Sequence, residues 1–237
     1  MKYVNMNNLR YNGHRAKTAV TLIWIVMFLD IISFISGYFQ LNLILRVEDG
    51  VAVSASEIDS NDFREQAIAI FYMIAYIISG IVFIQWFRRA YFNLHQKKEF
   101  LSFSEGWAAG SWFVPIVSLY RPLQIMKELY EETRDFVISK GETFHKDLTT
   151  NFLGLWWALW IVNNLIGQII FRIDADTLPV LKGVTFLSLA GNAVGIILAF
   201  VTVKVIRDYA EAEEVLFRMK EETAIVEDEK FIENGSL

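Results

Sequence analysis

The sequence predicts an all-α fold, a polytopic membrane bundle of four spanning helices with a short re-entrant or interfacial segment and amphipathic cytoplasmic helices. Three observations predict it. The 237 residues are 54% hydrophobic, above the ~45–50% usual for a soluble domain. The apolar excess is gathered into blocks of roughly span length instead of being spread along the chain. No Gly/Ser- or Pro-rich linker and no internal repeat divides the sequence, so residues 1–237 read as one membrane domain.

The four spans are placed at about 18–42, 67–87, 152–171 and 184–206. Each approaches the ~20 residues needed to cross ~30 Å of hydrocarbon as a helix. Helices are the required form, because backbone polar groups in lipid must be satisfied within the segment. The first block carries Asp30 and has no small-residue cleavage site, so it is expected to stay as a span. Residues 106–119, GWAAGSWFVPIVSL, are apolar but short, and Pro115 removes a mid-helix hydrogen bond. This stretch is expected to dip into the interface without crossing. Positive charge supports that choice. With residues 106–119 on one side, 18 Lys/Arg lie inside and four outside; with a crossing there, the split is 10 to 12. The expected location is therefore a bacterial inner (cytoplasmic) membrane, multi-pass, with both termini in the cytoplasm. Trp86, Trp107, Trp112, Trp156 and Trp157 then gather near the inner interface, where amphipathic rings prefer to sit.

Between the first two spans, Arg46 to Gln66 carries six acids against two arginines and reads as a solvated outward loop. Residues 122–138 place Leu123, Met126, Leu129, Tyr130, Phe136 and Val137 at helical spacing opposite a charged face. Pro122 suits a first helical turn. This cytoplasmic helix has three uses open to it: packing on the bundle, lying on lipid, or receiving a protein partner. The tail, residues 207–237, begins as a continuation of the last span. Val205, Tyr209, Ala212, Leu216 and Met219 form a narrow stripe there, suited to pairing with the 122–138 helix. From Glu221 on, the tail is acidic and is expected to lack fixed structure.

At 1.5 Å per residue, Asp30 lies about 18 Å from the inner boundary, and Tyr76, Asn163 and Asn192 about 16 Å. Asn164 and Gln168 add to the same layer. An ionisable residue in a span is a functional-site candidate by default, so Asp30, Tyr76, Asn163 and Asn192 form a candidate intramembrane polar site. The plainer role is interhelical hydrogen bonding, worth under ~1–2 kcal/mol per bond. Gly191 and Gly195 form a GxxxG pair, and Ser33 and Gly37 a small-xxx-small pair, both suited to close helix packing.

There are no cysteines, so disulfides, thiolate metal sites and thiol nucleophiles are excluded. His14, His95 and His145 lie in separate segments without ligand spacing. No metal, cofactor or catalytic residue is assigned, and a net charge of −5 gives no case for nucleic acid.

The central block reads RRAYFNLHQ from Arg88 to Gln96 and GWAAGSWFVPIVSLYRPLQIMKELYEET from Gly106 to Thr133. Arg89, Ala90, Tyr91 and Asn93, then Gly106 and Trp107, then Trp112 to Ile116, then Arg121, Pro122, Gln124, Met126 and Glu128 carry a resemblance. The chain resembles the bacterial membrane-protein family known as domain of unknown function 4328 (DUF4328). The resemblance implies a membrane protein and no particular activity. Arg88, Arg89, Trp107, Trp112, Pro115 and Arg121 are the candidate lipid or partner contacts of this block. Arg88, Arg89, Lys97 and Lys98 read as a basic cluster able to attract anionic headgroups at about 1 kcal/mol per charge.

Three function classes follow. The first is a non-enzymatic anchoring, sensing or regulatory bundle, with the lipid bilayer and a cytoplasmic protein or second copy as partners. The second is a small ion or proton-coupled transporter or channel using Asp30 and the midplane asparagines. The third, a lipid-acting enzyme, lacks HExxH, GxSxG, a phosphate loop and catalytically spaced acids, so the chain is read as leaning away from catalysis.

Overall fold

In the computed structural model, residues 8–98, 100–142 and 148–235 are described, with side chains to Met219. The described chain is all-helical: α1 (Gly13–Glu48), α2 (Ala55–His95), α3 (Trp107–Gly110), a 3-10 turn (Val117–Leu119), α4 (Arg121–Ser139), α5 (Leu153–Arg172) and α6 (Leu178–Gly235). Among these, α1, α2, α5 and α6 are long and apolar enough to cross a membrane. His145 lies outside the described residues.

The acidic stretch 46–66 is a correction. It is helical except for a short link, because both ends of that link are capped. Gly50 has φ +74°. Its N–H reaches Val47 O at 3.1 Å, and the Val51 N–H reaches Arg46 O at 2.9 Å, which closes α1 with a glycine in the left-handed region. Ser54 then caps α2: its Oγ accepts from the Glu57 N–H at 3.2 Å, as in the S-x-x-E capping box. Acids assigned to solvent are paired. Glu57 meets Arg46, and Glu48 accepts from Lys182 Nζ at 2.6 Å.

The tail from Glu221 is a second correction. α6 runs 58 residues to Gly235 without a break. No glycine or proline occurs from Ile196 to Asn234, and Glu, Lys, Ala and Met there are good helix formers.

The chain divides into two compact units: one of residues 20–81 and 155–203, the other of residues 1–19, 82–154 and 204–237. In the 20–81/155–203 unit, small residues set the helix approaches. A Cβ on Gly37 would come within 3.1 Å of Leu189, and one on Gly191 within 2.9 Å of Ile166. The GxxxG pair thus serves packing within the chain. Trp24 meets Phe200 edge-on at 5.2 Å, and the Trp156 indole N–H donates to Thr202 Oγ1 at 3.1 Å.

In the other unit, α4 packs on the continuation of α6. Phe136 and Val137 meet Val215 and Leu216, with Met219 against them. The apolar face of α4 is therefore used within the bundle, the first of its three open roles. Polar ties fix the register: Tyr130 OH donates to Val205 O at 2.7 Å, and Thr133 Oγ1 lies 3.4 Å from Tyr209 OH.

Candidate functional site

The candidate polar residues of the four long helices converge in part. Asp30 on α1 is 2% exposed and hydrogen-bonded by Tyr72 on α2. It presses on α6 where a side chain is missing: a Cβ on Gly195 would sit 2.9 Å from both carboxylate oxygens. Glycine is needed there for close approach. Tyr72 stacks on Tyr76 one turn later, with ring centroids 6.0 Å apart. Both tyrosines line a cavity of about 580 Å³ with Asn163, Asn164, Gln168, Ser188 and Asn192, and with Arg172 at the end of α5. Tyr76, Asn163 and Asn192 therefore share one cavity, while Asp30 stands behind Tyr72 and off its lining. A second cavity of about 280 Å³ shares Tyr72, Ser188 and Asn192 and is lined also by Gln40 and Glu65. Glu65 is held by Ser36 Oγ at 2.5 Å. Tyr72 was missed by sequence reasoning, although its i, i+4 relation to Tyr76 puts both on one face.

The central block separates into distinct jobs. Arg88 pairs with Glu105 at 3.3 Å and Lys98 with Glu132, while Lys97 is buried. Of the four cations, Arg88 and Lys98 are thus each paired with an acid and Lys97 is withdrawn from the surface, while Arg89 lies among Arg15, Arg10 and Arg88. Trp112 docks edge-on to Phe83 at 5.6 Å and Phe87 at 6.0 Å, and its indole N–H donates to Ala108 O at 3.1 Å. Tyr91 donates to Glu128 Oε2 at 2.5 Å, and the Ser102 N–H donates to the other oxygen at 2.6 Å. Burial, and then the bond to Glu128, push the Tyr91 hydroxyl well above its ordinary range. Pro115 begins a tight turn in which its carbonyl accepts from the Val117 N–H at 2.8 Å. Ile116 between them has φ 67° and ψ −50°, a strained γ-turn for a β-branched residue. The Arg121 guanidinium lies over Phe103 at 4.2 Å, with Tyr120 at 5.5 Å and Trp107 at 5.6 Å.

A third group escaped the sequence reading. Glu213 of α6 is 3% exposed. It accepts from Asn93 Nδ2 at 2.6 Å and from Asn12 Nδ2 at 3.1 Å. Asn93 also exchanges two bonds with the Arg10 backbone, at 3.0 and 2.8 Å. Asn12 reaches Trp86 O at 3.3 Å. Burial raises the Glu213 carboxyl, while Asn93, the Lys97 ammonium, Asn12 and Arg89 pull it back down. Burial also lowers Lys97, to about 7, against the upward pull of Glu213. The legible signal was position: Glu213 lies four residues after Tyr209, on the apolar stripe itself. Chemically this is a buried polar knot that joins the segment before α1 to α2 and α6. Among the described residues no group of three or more His, Cys, Asp or Glu is placed to hold a metal ion.

The family model described as domain of unknown function (DUF4328) matches residues 49–211. No curated protein and no solved structure matches the chain. The matched segment covers well over half of the sequence and contains Tyr91, Asn93, Trp112, Arg121 and Glu128, whose contacts are given above. The chain belongs to the DUF4328 family.

Proposed function

We propose that this DUF4328 member is an integral protein of a bacterial cytoplasmic membrane, with four spans and both termini inside, and that it acts without catalysis as a sensing or regulatory bundle. The bilayer placement is supported by the four long apolar helices and by the excess of Lys/Arg on one side. The sensing role is carried by one observation. A buried aspartate, held by a tyrosine hydroxyl and seated on a glycine, adjoins a cavity walled by amides and hydroxyls. Such a cavity at span depth suits a small polar solute, or a proton on Asp30; Arg172 in its lining and Asp30 behind Tyr72 together set the sign of charge it admits. α2 and α6 each run unbroken from this unit into the other, so occupancy has a covalent route along them to the cytoplasmic side.

The natural lack of cysteine gives the test. Asn192→Cys, in protein reconstituted into vesicles, should react with a small cationic thiol reagent faster than with an anionic one. Asp30→Asn should abolish that ratio. Failure of Asn192→Cys to react with either reagent would remove the cavity as a solute site. Topology is checked beside it: Ser56→Cys should label from outside on intact cells, and Ser139→Cys only after lysis.

The second cavity, which shares Tyr72 and Asn192 with the first, favours an alternative in which polar solutes pass between the two as in a small transporter. Ion flux into proteoliposomes that stops with Asp30→Asn would select transport over sensing.

A further inference from the structure

The turn between α3 and α4 shows side chains of the wrong kind for a water-facing surface. Phe113 and Ile116 are each 75% exposed, and Val114 is 39% exposed. They are held out by a backbone that works against its own preference, since Ile116 occupies the left-handed side of the map. Strain of that sort persists only where the surrounding structure enforces it. The enforcement is visible: Trp112 is anchored on Phe83 and Phe87, and α4 resumes directly after Tyr120. The tip therefore presents a phenylalanine and an isoleucine on a braced hairpin.

Behind the tip stand the groups that prefer a headgroup layer. Trp107 and Tyr120 are partly exposed, at 38% and 41%, and such rings favour the interface between water and hydrocarbon. Between them lies the Arg121 guanidinium. One of its faces is covered by Phe103. Its Nε is buried without a hydrogen-bond partner, and among the described residues no carboxylate pairs with it. A guanidinium that no carboxylate neutralises matches phosphate in charge and geometry.

We propose that this hairpin is a lipid-docking element: Phe113 and Ile116 enter the acyl region of the inner leaflet, and Arg121 holds the phosphate of an anionic phospholipid. The inference rests on the membrane placement given above and adds an occupant for the family block. The depth of the insertion follows from order along the chain. The apolar tip lies between Trp107 and Tyr120 in the chain, and the cation sits at the level of those two rings. The one charge that must remain near water is thus the one offered to the headgroup.

The test uses the full chain in nanodiscs of phosphatidylcholine with phosphatidylglycerol. Spin labels are placed singly at Phe113→Cys and Ile116→Cys. Phe71→Cys on the exposed face of α2 and Ser139→Cys at the end of α4 serve as references. Collision with oxygen against a water-soluble nickel complex reports depth. The tip labels should favour oxygen, as Phe71→Cys does, and Ser139→Cys should favour nickel. Tip labels that favour nickel while Phe71→Cys favours oxygen overturn the docking element alone. If Phe71→Cys also favours nickel, the membrane placement itself falls. Tip labels shielded from both probes point to cover by protein, a second copy or a partner, and overturn the lipid assignment.

Arg121 is read separately, by native mass spectrometry of the detergent-solubilised protein. The parent chain should retain phosphatidylglycerol over phosphatidylcholine about tenfold, Arg121→Lys should keep part of that preference, and Arg121→Gln should lose it. An unchanged preference in Arg121→Gln refutes the phosphate contact. Displacement of phosphatidylglycerol by millimolar inorganic phosphate would assign a free-anion site and refute the lipid one. Should Arg121→Gln fail to purify as a folded protein, Arg121→Lys decides: loss of the bidentate fork must lower the preference several-fold.

Discussion

Replacing Glu213 by alanine tests the buried polar knot, and its magnitude can be worked from the contacts. The carboxylate accepts one amide hydrogen from Asn93 and one from Asn12. Each of those amides keeps a second partner, the Arg10 and Trp86 carbonyls, so one hydrogen on each is orphaned. Leaving a buried donor unsatisfied costs about 1–3 kcal/mol; two such donors, partly relaxed, come to about 2–4 kcal/mol. The second contribution depends on pH. Lys97, which burial lowers to about 7, loses its nearest opposing charge. At about pH 9 it is already neutral in the folded protein, so only the hydrogen bonds are lost. At about pH 6 the parent Lys97 is charged and held by Glu213, whereas without Glu213 its pKa falls further and it gives up the proton, which adds up to about 1.4 kcal/mol to the loss. For a chain of this size ~1 kcal/mol moves the melting temperature by roughly 2–4 °C. Glu213→Ala should therefore melt about 5–15 °C lower, and the deficit should be larger at about pH 6 than at about pH 9. Glu213→Gln keeps volume and one acceptor, and should lose about 1–2 kcal/mol. The assay is thermal unfolding of the detergent-solubilised chain followed by circular dichroism. A Glu213→Ala protein that melts within about 2 °C of the parent at both pH values would refute the knot as a stabilising element.

Three further outcomes are expected. Lys97 has its folded pKa lowered, so the unfolded chain binds more protons between about 7 and 10.4. The melting temperature should thus climb across that window, and the climb should vanish in Lys97→Met, as acid–base melting series would show. Gly195→Val should displace Asp30, since even a Cβ would fall 2.9 Å from its oxygens. Destabilisation of about 1–3 kcal/mol is expected for such overpacking, read as a lower melting temperature, whereas Gly154→Ala, with open space around it, should be near neutral. Ile116→Gly relieves the positive φ and should stabilise the purified chain by up to about 1 kcal/mol, checked by the same melting assay in detergent.

The class of the fold was legible because its signal is a simple one. Long apolar blocks cannot be anything but helices in lipid, and the four that the sequence marks at Asp30, Tyr76, Asn163 and Asn192 are the four long helices observed. The 122–138 helix was readable from its periodicity, and its partner stripe on α6 from three- and four-residue steps. The helix ends at Gly50 and Ser54 were also written locally, in the glycine and in the S-x-x-E spacing, but the acidic composition of 46–66 concealed them. Other features depend on contacts between residues far apart in the chain, which no local pattern reports. Sequence depth placed Asp30 in one layer with three polar residues; packing moved it behind Tyr72 and onto Gly195, because only a missing side chain leaves room for a carboxylate there. Arg88, Arg89, Lys97 and Lys98 read alike as basic residues near one another. Tertiary structure gave Arg88 to Glu105, Lys98 to Glu132 and sent Lys97 inside toward Glu213, because Arg88 lies within α2 while Lys97 and Lys98 follow its end, and each position meets a different partner.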